Sequence, residues 1–169
     1  VEPLREGAEL VGLNVDGRAI RAQRIVLSAG AGNAGLLDSL GLSQPAMQRR
    51  PLHMVIAKGP TLKPLYAHCL GGGPKPRITV TTHPAADGQW VWYLGGDLAE
   101  AEGVAREPDA QIAAAQKEVA GLLPWVDLAP VRWATVRIDR AEPAQSGLVR
   151  PDNAFLAEQQ RLLVGWPTK

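Results

Sequence analysis

Cysteine is almost missing from this chain of 169 residues, where Cys69 stands alone. A single thiol excludes an internal disulfide and any metal cluster built on several cysteines, and it fits a reducing, cytoplasmic setting. No run approaches the roughly 18 consecutive apolar residues of a membrane helix, and no signal-like segment opens the chain. An excess of charge of either sign is missing too. The net charge is +1 and no basic run exceeds Arg49-Arg50, so neither nucleic acid nor a membrane surface has an electrostatic footing. The histidines His53, His68 and His83 show none of the H-x-x-x-H or H-E-x-x-H spacings of zinc sites, and no metal is expected.

What is present is enough to build a core. Hydrophobic residues make up 46% and charged residues 21%, while 18 Gly and 14 Pro without a repeat imply many turns. The chain opens at Val1 without an initiator methionine and stops at Trp166-Pro167-Thr168-Lys169, directly after an apolar run. Natural domains usually end in polar, frayed segments, so the chain is expected to be an excised piece of a longer protein.

The pattern predicts an α+β fold: a mixed, largely antiparallel sheet with one main helix. Leu10 to Val15 alternate, Asp16-Gly17 supplies a hairpin turn, and Arg18 to Ala22 return, which reads as a meander. Arg24 to Ala29 has a continuous apolar centre suited to a strand covered on both faces. Leu36, Leu37 and Leu40 mark a short helix closed by Gly41. A strand from Leu52 to Lys58, a loop from Gly59 to Pro76, and paired strands Arg77–Thr82 and Gln89–Leu94 follow. The main helix begins at Glu107-Pro108-Asp109, carries an apolar stripe of Ile112, Ala115, Val119, Leu122 and Leu123, and ends at Pro124. Val131 to Ile138 and Arg161 to Gly165 are the last strands.

Three features carry candidate chemistry. Gly30-Ala31-Gly32-Asn33-Ala34-Gly35 is a literal G-x-G-x-x-G between strand and helix, the pattern that seats a pyrophosphate at a helix N-terminus. A meander precedes it, however, and no acidic residue ends the next strand to hold a ribose hydroxyl. Gly30 is equally readable as an ordinary turn glycine. Trp90 and Trp92 alternate with Tyr93, so the tyrosine hydroxyl lies on the opposite face, toward a cleft or solvent. Arg137 is a cation within the apolar strand Val131–Ile138. It either grips a substrate carboxylate in bidentate geometry or pairs with Asp139 or a glutamate.

The run from Gly17 through Ala22 and Arg24-Ile25-Val26-Leu27-Ser28-Ala29-Gly30-Ala31 resembles the flavin-proximal segment of the D-amino-acid-oxidase-like family of FAD-dependent oxidoreductases, where a meander ends in G-x-x-x-A-x-x-V-V-L-A-A-G-A. Pro51-Leu52-His53-Met54-Val55-Ile56 is similar to the strand entering that family's substrate domain, Leu122-Leu123-Pro124 to the close of its helix, and Leu162 to Trp166 to its Gly-His-Gly stretch beside the flavin. The chain departs from the family at three places. Gly32-Asn33 stands for Trp-Ser, Trp166-Pro167 for His-Gly, and Val136 to Arg140 lacks an Arg-Pro pair, although Arg150-Pro151-Asp152 has one.

The resemblance implies residues 1–45 as a remnant of an FAD-binding, Rossmann-like domain, 46–138 as a substrate-binding domain, and 139–169 as a return segment. It implies backbone contact with FAD near Val1, Ala29, Gly30 and Gly165, where small residues let the cofactor approach, and it sets Arg137, Tyr93 and His53 toward the substrate. The parent is expected to be a cytoplasmic flavoprotein oxidising an amine or amino acid by hydride transfer to flavin. FAD is expected to bind the full-length protein but not this fragment alone. Two rivals stay open: a NADP-binding Rossmann-type enzyme using Gly30–Gly35 with Arg49-Arg50 for a 2′-phosphate, and a non-enzymatic ligand-binding module.

Overall fold

The computed structural model describes residues 1–73, 75–148, 151, 153–159 and 161–166. The chain divides into two compact units, Val1–Arg50 with Arg140–Lys169, and Pro51–Asp139.

The first unit begins as an antiparallel meander of β1 (Glu2–Glu6), β2 (Glu9–Val15) and β3 (Arg18–Arg21). Asp16 and Gly17 both take positive φ, at 50° and 78°, and Val15 pairs with Arg18. That is the backbone a two-residue hairpin loop requires to match the strand twist. Strand β1 is an addition to the sequence reading. It is made possible by Gly7 at φ 61° in the turn between β1 and β2. Gly12 has no room for a side chain, because a Cβ there would overlap the Ile20 carbonyl oxygen.

A second, three-stranded sheet holds β4 (Ile25–Leu27) parallel to β11 (Leu162–Trp166), which pairs antiparallel with β10 (Phe155–Gln159). Helix α1 (Gly32–Ser39) ends as its glycine predicts. Gly41 sits at φ 73°, its N–H donates to the Asp38 carbonyl, and the Leu42 N–H reaches back to Leu37 at 2.9 Å. This double bond pattern closes a helix through a left-handed residue. Leu10, Ile25, Leu27, Leu37, Leu40, Leu162, Val164 and Trp166 make this unit's core. The expectation of a strand covered on both faces is corrected here: Ile25 and Leu27 are buried, but Val26 is 61% exposed. Among the described residues, only one face of β4 has a layer against it.

The second unit is built on a five-stranded sheet in the order β6-β7-β8-β5-β9. Its strands are β5 (Met47–Gly59), β6 (Ala67–Leu70), β7 (Pro76–Pro84), β8 (Trp90–Gly95) and β9 (Arg132–Pro143). Strands β5 to β8 pair antiparallel, with Val55 opposite Leu94 and Val80 also opposite Leu94. Strand β6 lies inside the stretch read as loop. Its four residues pair as an edge strand despite the glycine and proline around them. A 3-10 turn (Gly96–Ala99), α2 (Ala101–Ala105) and α3 (Pro108–Leu122) follow β8.

Helix α3 has Pro108 in its first turn and Asp109 beside it, as the sequence implied. Its buried line is Gln111, Ala115 and Val119, continued by Leu123, while Ile112 and Leu122 are only half-buried. Ala115, Val119 and Leu123 of the apolar reading thus hold, and the stripe is headed by a glutamine in place of Ile112. Val55, Ala57, Ile78, Val80, Trp92 and Leu94 meet Ala115 and Val119 in one core. No described helix is long and apolar enough to cross a membrane.

Candidate functional site

Ala29, Gly30 and Gly165, three of the four residues assigned to the cofactor, are drawn together by side chains outside that set. Asn33 is fully buried. Its Oδ1 accepts the Ala29 N–H at 2.8 Å, and its Nδ2 donates to the Gly165 carbonyl at 3.0 Å and the Leu27 carbonyl at 3.4 Å. The Trp166 indole N–H donates to the Gly30 carbonyl at 2.9 Å. One amide and one indole therefore pin the ends of the parallel strands β4 and β11 to the turn that enters α1. Gly30 takes φ 57° there, and a Cβ on it would meet nothing within 4 Å. Val1, the fourth, is 52% exposed ahead of β1.

That geometry bears on both readings of Gly30–Gly35. The turn itself uses the first amides of the motif: Gly32 N–H donates to Ala29 O at 3.0 Å, and Asn33 N–H to Gly30 O at 3.2 Å. Amides already bonded to carbonyls do not cradle a pyrophosphate. Strand β5 then enters a different sheet from β4, so no strand–helix–parallel-strand unit forms around α1. Arg50, half of the pair offered for a 2′-phosphate, is buried with its Nε 2.8 Å from the Glu142 carboxylate. The NADP reading is corrected on these three grounds. For a flat cofactor, in contrast, the exposed Ala29 and the open space at Gly30 fit an approach along the backbone.

In the 51–139 unit, His53, Tyr93 and Arg137 do not converge. His53 shares the face of Val55 and Ala57, and it is fully buried. Its Nδ1 donates to the Gly103 carbonyl at 2.9 Å, which fixes the proton on Nδ1 because a carbonyl only accepts. Its Nε2 is buried without a hydrogen-bond partner among the described residues. Gln111 Nε2 donates to the His53 and Leu98 carbonyls at 2.7 and 2.8 Å, and its Oε1 accepts from Arg106. Arg137 works on the same element. Its Nη1 and Nη2 donate to the Val104 and Arg106 carbonyls at 2.6 and 2.8 Å. A cation there satisfies orphan carbonyls at the end of α2. The partners of Arg137 are thus two carbonyls rather than Asp139 or a glutamate, and its strand is exposed rather than apolar and covered.

Tyr93 alone of the three stands on the sheet's open face. Register places Thr81, Tyr93 and Ile56 in one row across β7, β8 and β5, with His83, Val91 and Lys58 in another. The His83 ring meets the Tyr93 ring edge-on, centroids 4.9 Å apart at 77°. Alternation along β9 puts Val136 and Ile138, both exposed, opposite to Arg137.

A cleft of about 360 Å³ lies elsewhere in this unit, rimmed by Lys75, Arg77, Asp97, Glu100, Arg106 and Glu118. Its charges pair with one another, Lys75 with Glu100 and Arg77 with Glu118, and none of the candidate residues lines it. No group of three or more His, Cys, Asp or Glu among the described residues is placed to hold a metal. Sequence reasoning missed Asn33, Gln111 and Trp166 as organising residues. For Gln111 a signal existed, since 111, 115, 119 and 123 share one helical stripe. Arg150 and Asp152, of the late Arg-Pro-Asp triplet, and Pro167 lie outside the described residues.

No family model matches the chain. A probable FAD-dependent oxidoreductase of Pseudomonas aeruginosa is 76% identical to it over 169 residues, all of this chain and 43% of that protein. The crystal structure of an FAD-dependent oxidoreductase from the same organism aligns with 99% of this chain and 46% of its own, at 77% identity and a TM-score of 0.83. The chain spans less than half the length of the curated relative and of the solved chain that it matches.

Proposed function

We propose that this chain is part of a FAD-dependent oxidoreductase of the D-amino-acid-oxidase-like kind, and that it contributes the substrate-facing sheet and backbone that lies against the flavin. The observation that carries the reading is identity of 76% along the whole chain to a protein named as such an oxidoreductase. The structure adds support of its own. Residues 51–139 form a sheet covered on one face by α3 and open on the other, with a phenol at the centre of the open face.

The reaction proposed is oxidation of a carbon–nitrogen bond in an amine or amino acid. When bound, FAD supplies the hydride acceptor. This chain's residues do the rest. Ala29 and Gly30 give the cofactor close backbone approach, held in place by Asn33 and Trp166. Tyr93 offers a hydroxyl to the substrate from the open face of the sheet. Val1 and Gly165 stay candidates for flavin contact, with residues 1–45 and 139–169 assigned to the flavin domain, 46–138 to the substrate domain, and the cytoplasm as location.

The test uses the full-length protein. It should purify yellow, with the flavin band at about 450 nm, and anaerobic addition of an amine or amino acid should bleach that band. A colourless protein, or a band that no such compound bleaches, would overturn the proposal.

A further inference from the structure

We infer that Asp16, in the loop between β2 and β3, is a site of spontaneous covalent rearrangement to isoaspartate, and that the chain's other Asp-Gly pair is shielded from it. The sequence holds two such pairs, Asp16-Gly17 and Asp87-Gly88, and each lies exposed in the loop of an antiparallel strand pair. The chemistry needs an aspartate followed by an amide nitrogen within reach, and glycine leaves that nitrogen open because it has no Cβ. The nitrogen attacks Cγ of the protonated carboxyl, a C–O bond breaks, and water leaves with the amide proton. A five-membered succinimide remains. Water then adds to one of its two carbonyls. Opening at the former main-chain carbonyl sends the backbone through the side chain, as isoaspartate. Nothing is oxidised or reduced, and the water lost is regained.

What separates the two loops is whether the reacting groups are already held. At Asp87 both are. Lys58 Nζ lies 2.7 Å from Oδ2, Oδ1 accepts the Gln89 N–H at 3.2 Å, and the Gly88 N–H donates to the Ala85 carbonyl at 3.0 Å. Ring closure there must break these contacts, and the ammonium favours the charged carboxylate over the protonated form that reacts. At Asp16 none of this exists among the described residues. Its carboxylate is exposed, without an ion pair or hydrogen bond, and the Gly17 N–H has no acceptor. Asp16 also sits at φ 50°, a left-handed conformation that a residue with a Cβ adopts at a cost. Rotation out of it toward the ring geometry therefore releases strain in the residue itself.

The experiment incubates the full-length protein in heavy-oxygen water, digests it in ordinary water and maps the peptides by mass spectrometry. Each passage through the succinimide leaves a heavy oxygen in that residue, and an isoaspartyl carboxyl methyltransferase then marks the rearranged product. Both signals should rise in the Asp16 peptide roughly tenfold or more faster than in the Asp87 peptide. In urea, with the fold gone, the two rates should converge, because the sequence alone does not separate the pairs. Lys58→Met, which releases the Asp87 carboxylate, should speed labelling at Asp87 and leave Asp16 unchanged. Asp16→Ser should abolish the signal from that peptide. Equal rates in the folded protein, faster labelling at Asp87, or labelling at neither would overturn the inference. A rate at Asp87 that Lys58→Met does not move would overturn the shielding.

Discussion

Asn33 makes three bonds with one buried amide, two of them close by along the chain, at Leu27 and Ala29, and the third to Gly165, which the fold brings in from 132 residues away. Asn33→Ala leaves the Ala29 N–H and the Gly165 carbonyl without their partner, which should cost about 2 kcal/mol. Urea titration followed by tryptophan fluorescence checks it, and an unchanged midpoint would show that the amide holds nothing. Arg50 and Glu142 pose a second residue-scale problem. Glu142 is fully buried and takes Arg50 Nε at 2.8 Å and Gln48 Nε2 at 3.0 Å. Arg50→Met alone should cost about 3 kcal/mol, because it strands a buried carboxylate, whereas Arg50→Met with Glu142→Leu should recover most of the loss. If the double variant is no more stable than the single one, the pair contributes more than its own desolvation.

At the scale of elements, α2 shows how five residues are kept helical. A helix of this length does not hold itself. His53 takes the Gly103 carbonyl, Arg137 takes those of Val104 and Arg106, and Gly103 has no space for a side chain because Gln111 Nε2 and the Leu98 carbonyl press on it. Arg137→Met should therefore raise amide hydrogen exchange in 101–106 while β8 stays protected. Equal exchange in both would remove the clamp from the account.

The loop joining β7 and β8 carries a pH effect. The Lys58 ammonium, followed by the Gln89 N–H, holds the Asp87 carboxyl below its usual range. A folded-state pKa below the unfolded one means that this contribution is present above the unfolded value, about 3.9, and is lost as pH falls through the folded value. Lys58→Met should bring the Asp87 titration back toward its ordinary position, read by carboxyl NMR shifts. An unmoved titration would count against the contact.

For the whole molecule, the question is whether this chain carries a cofactor site by itself. The amides at the start of α1 are bonded within the turn, and what remains for FAD is scattered backbone at Val1, Ala29, Gly30 and Gly165. Such contacts do not offset the entropy of immobilising a large ligand. The chain alone, 43% of its relative's length, should stay colourless when FAD is added, and titration should reveal no micromolar binding. A yellow fragment would restore Gly30–Gly35 as a dinucleotide site.

Much of this was legible in the sequence because it is local. Asp16-Gly17 needs only two positive φ angles to turn a hairpin, Gly41 needs only one to close a helix, and Pro108 with Asp109 starts α3 whatever packs against it. Alternation on β8 likewise put Tyr93 on the face opposite Trp90 and Trp92 before any fold was known. What tertiary structure decided is partner choice. Arg137, Gln111 and Asn33 each carry donors that any distant carbonyl satisfies, and no spacing along the chain says which one. Those choices were settled by where β4 meets β11 and where α2 lies against β5 and β9. Burial then made the bonds obligatory, since a buried donor left unpaired costs more than the bond returns in water.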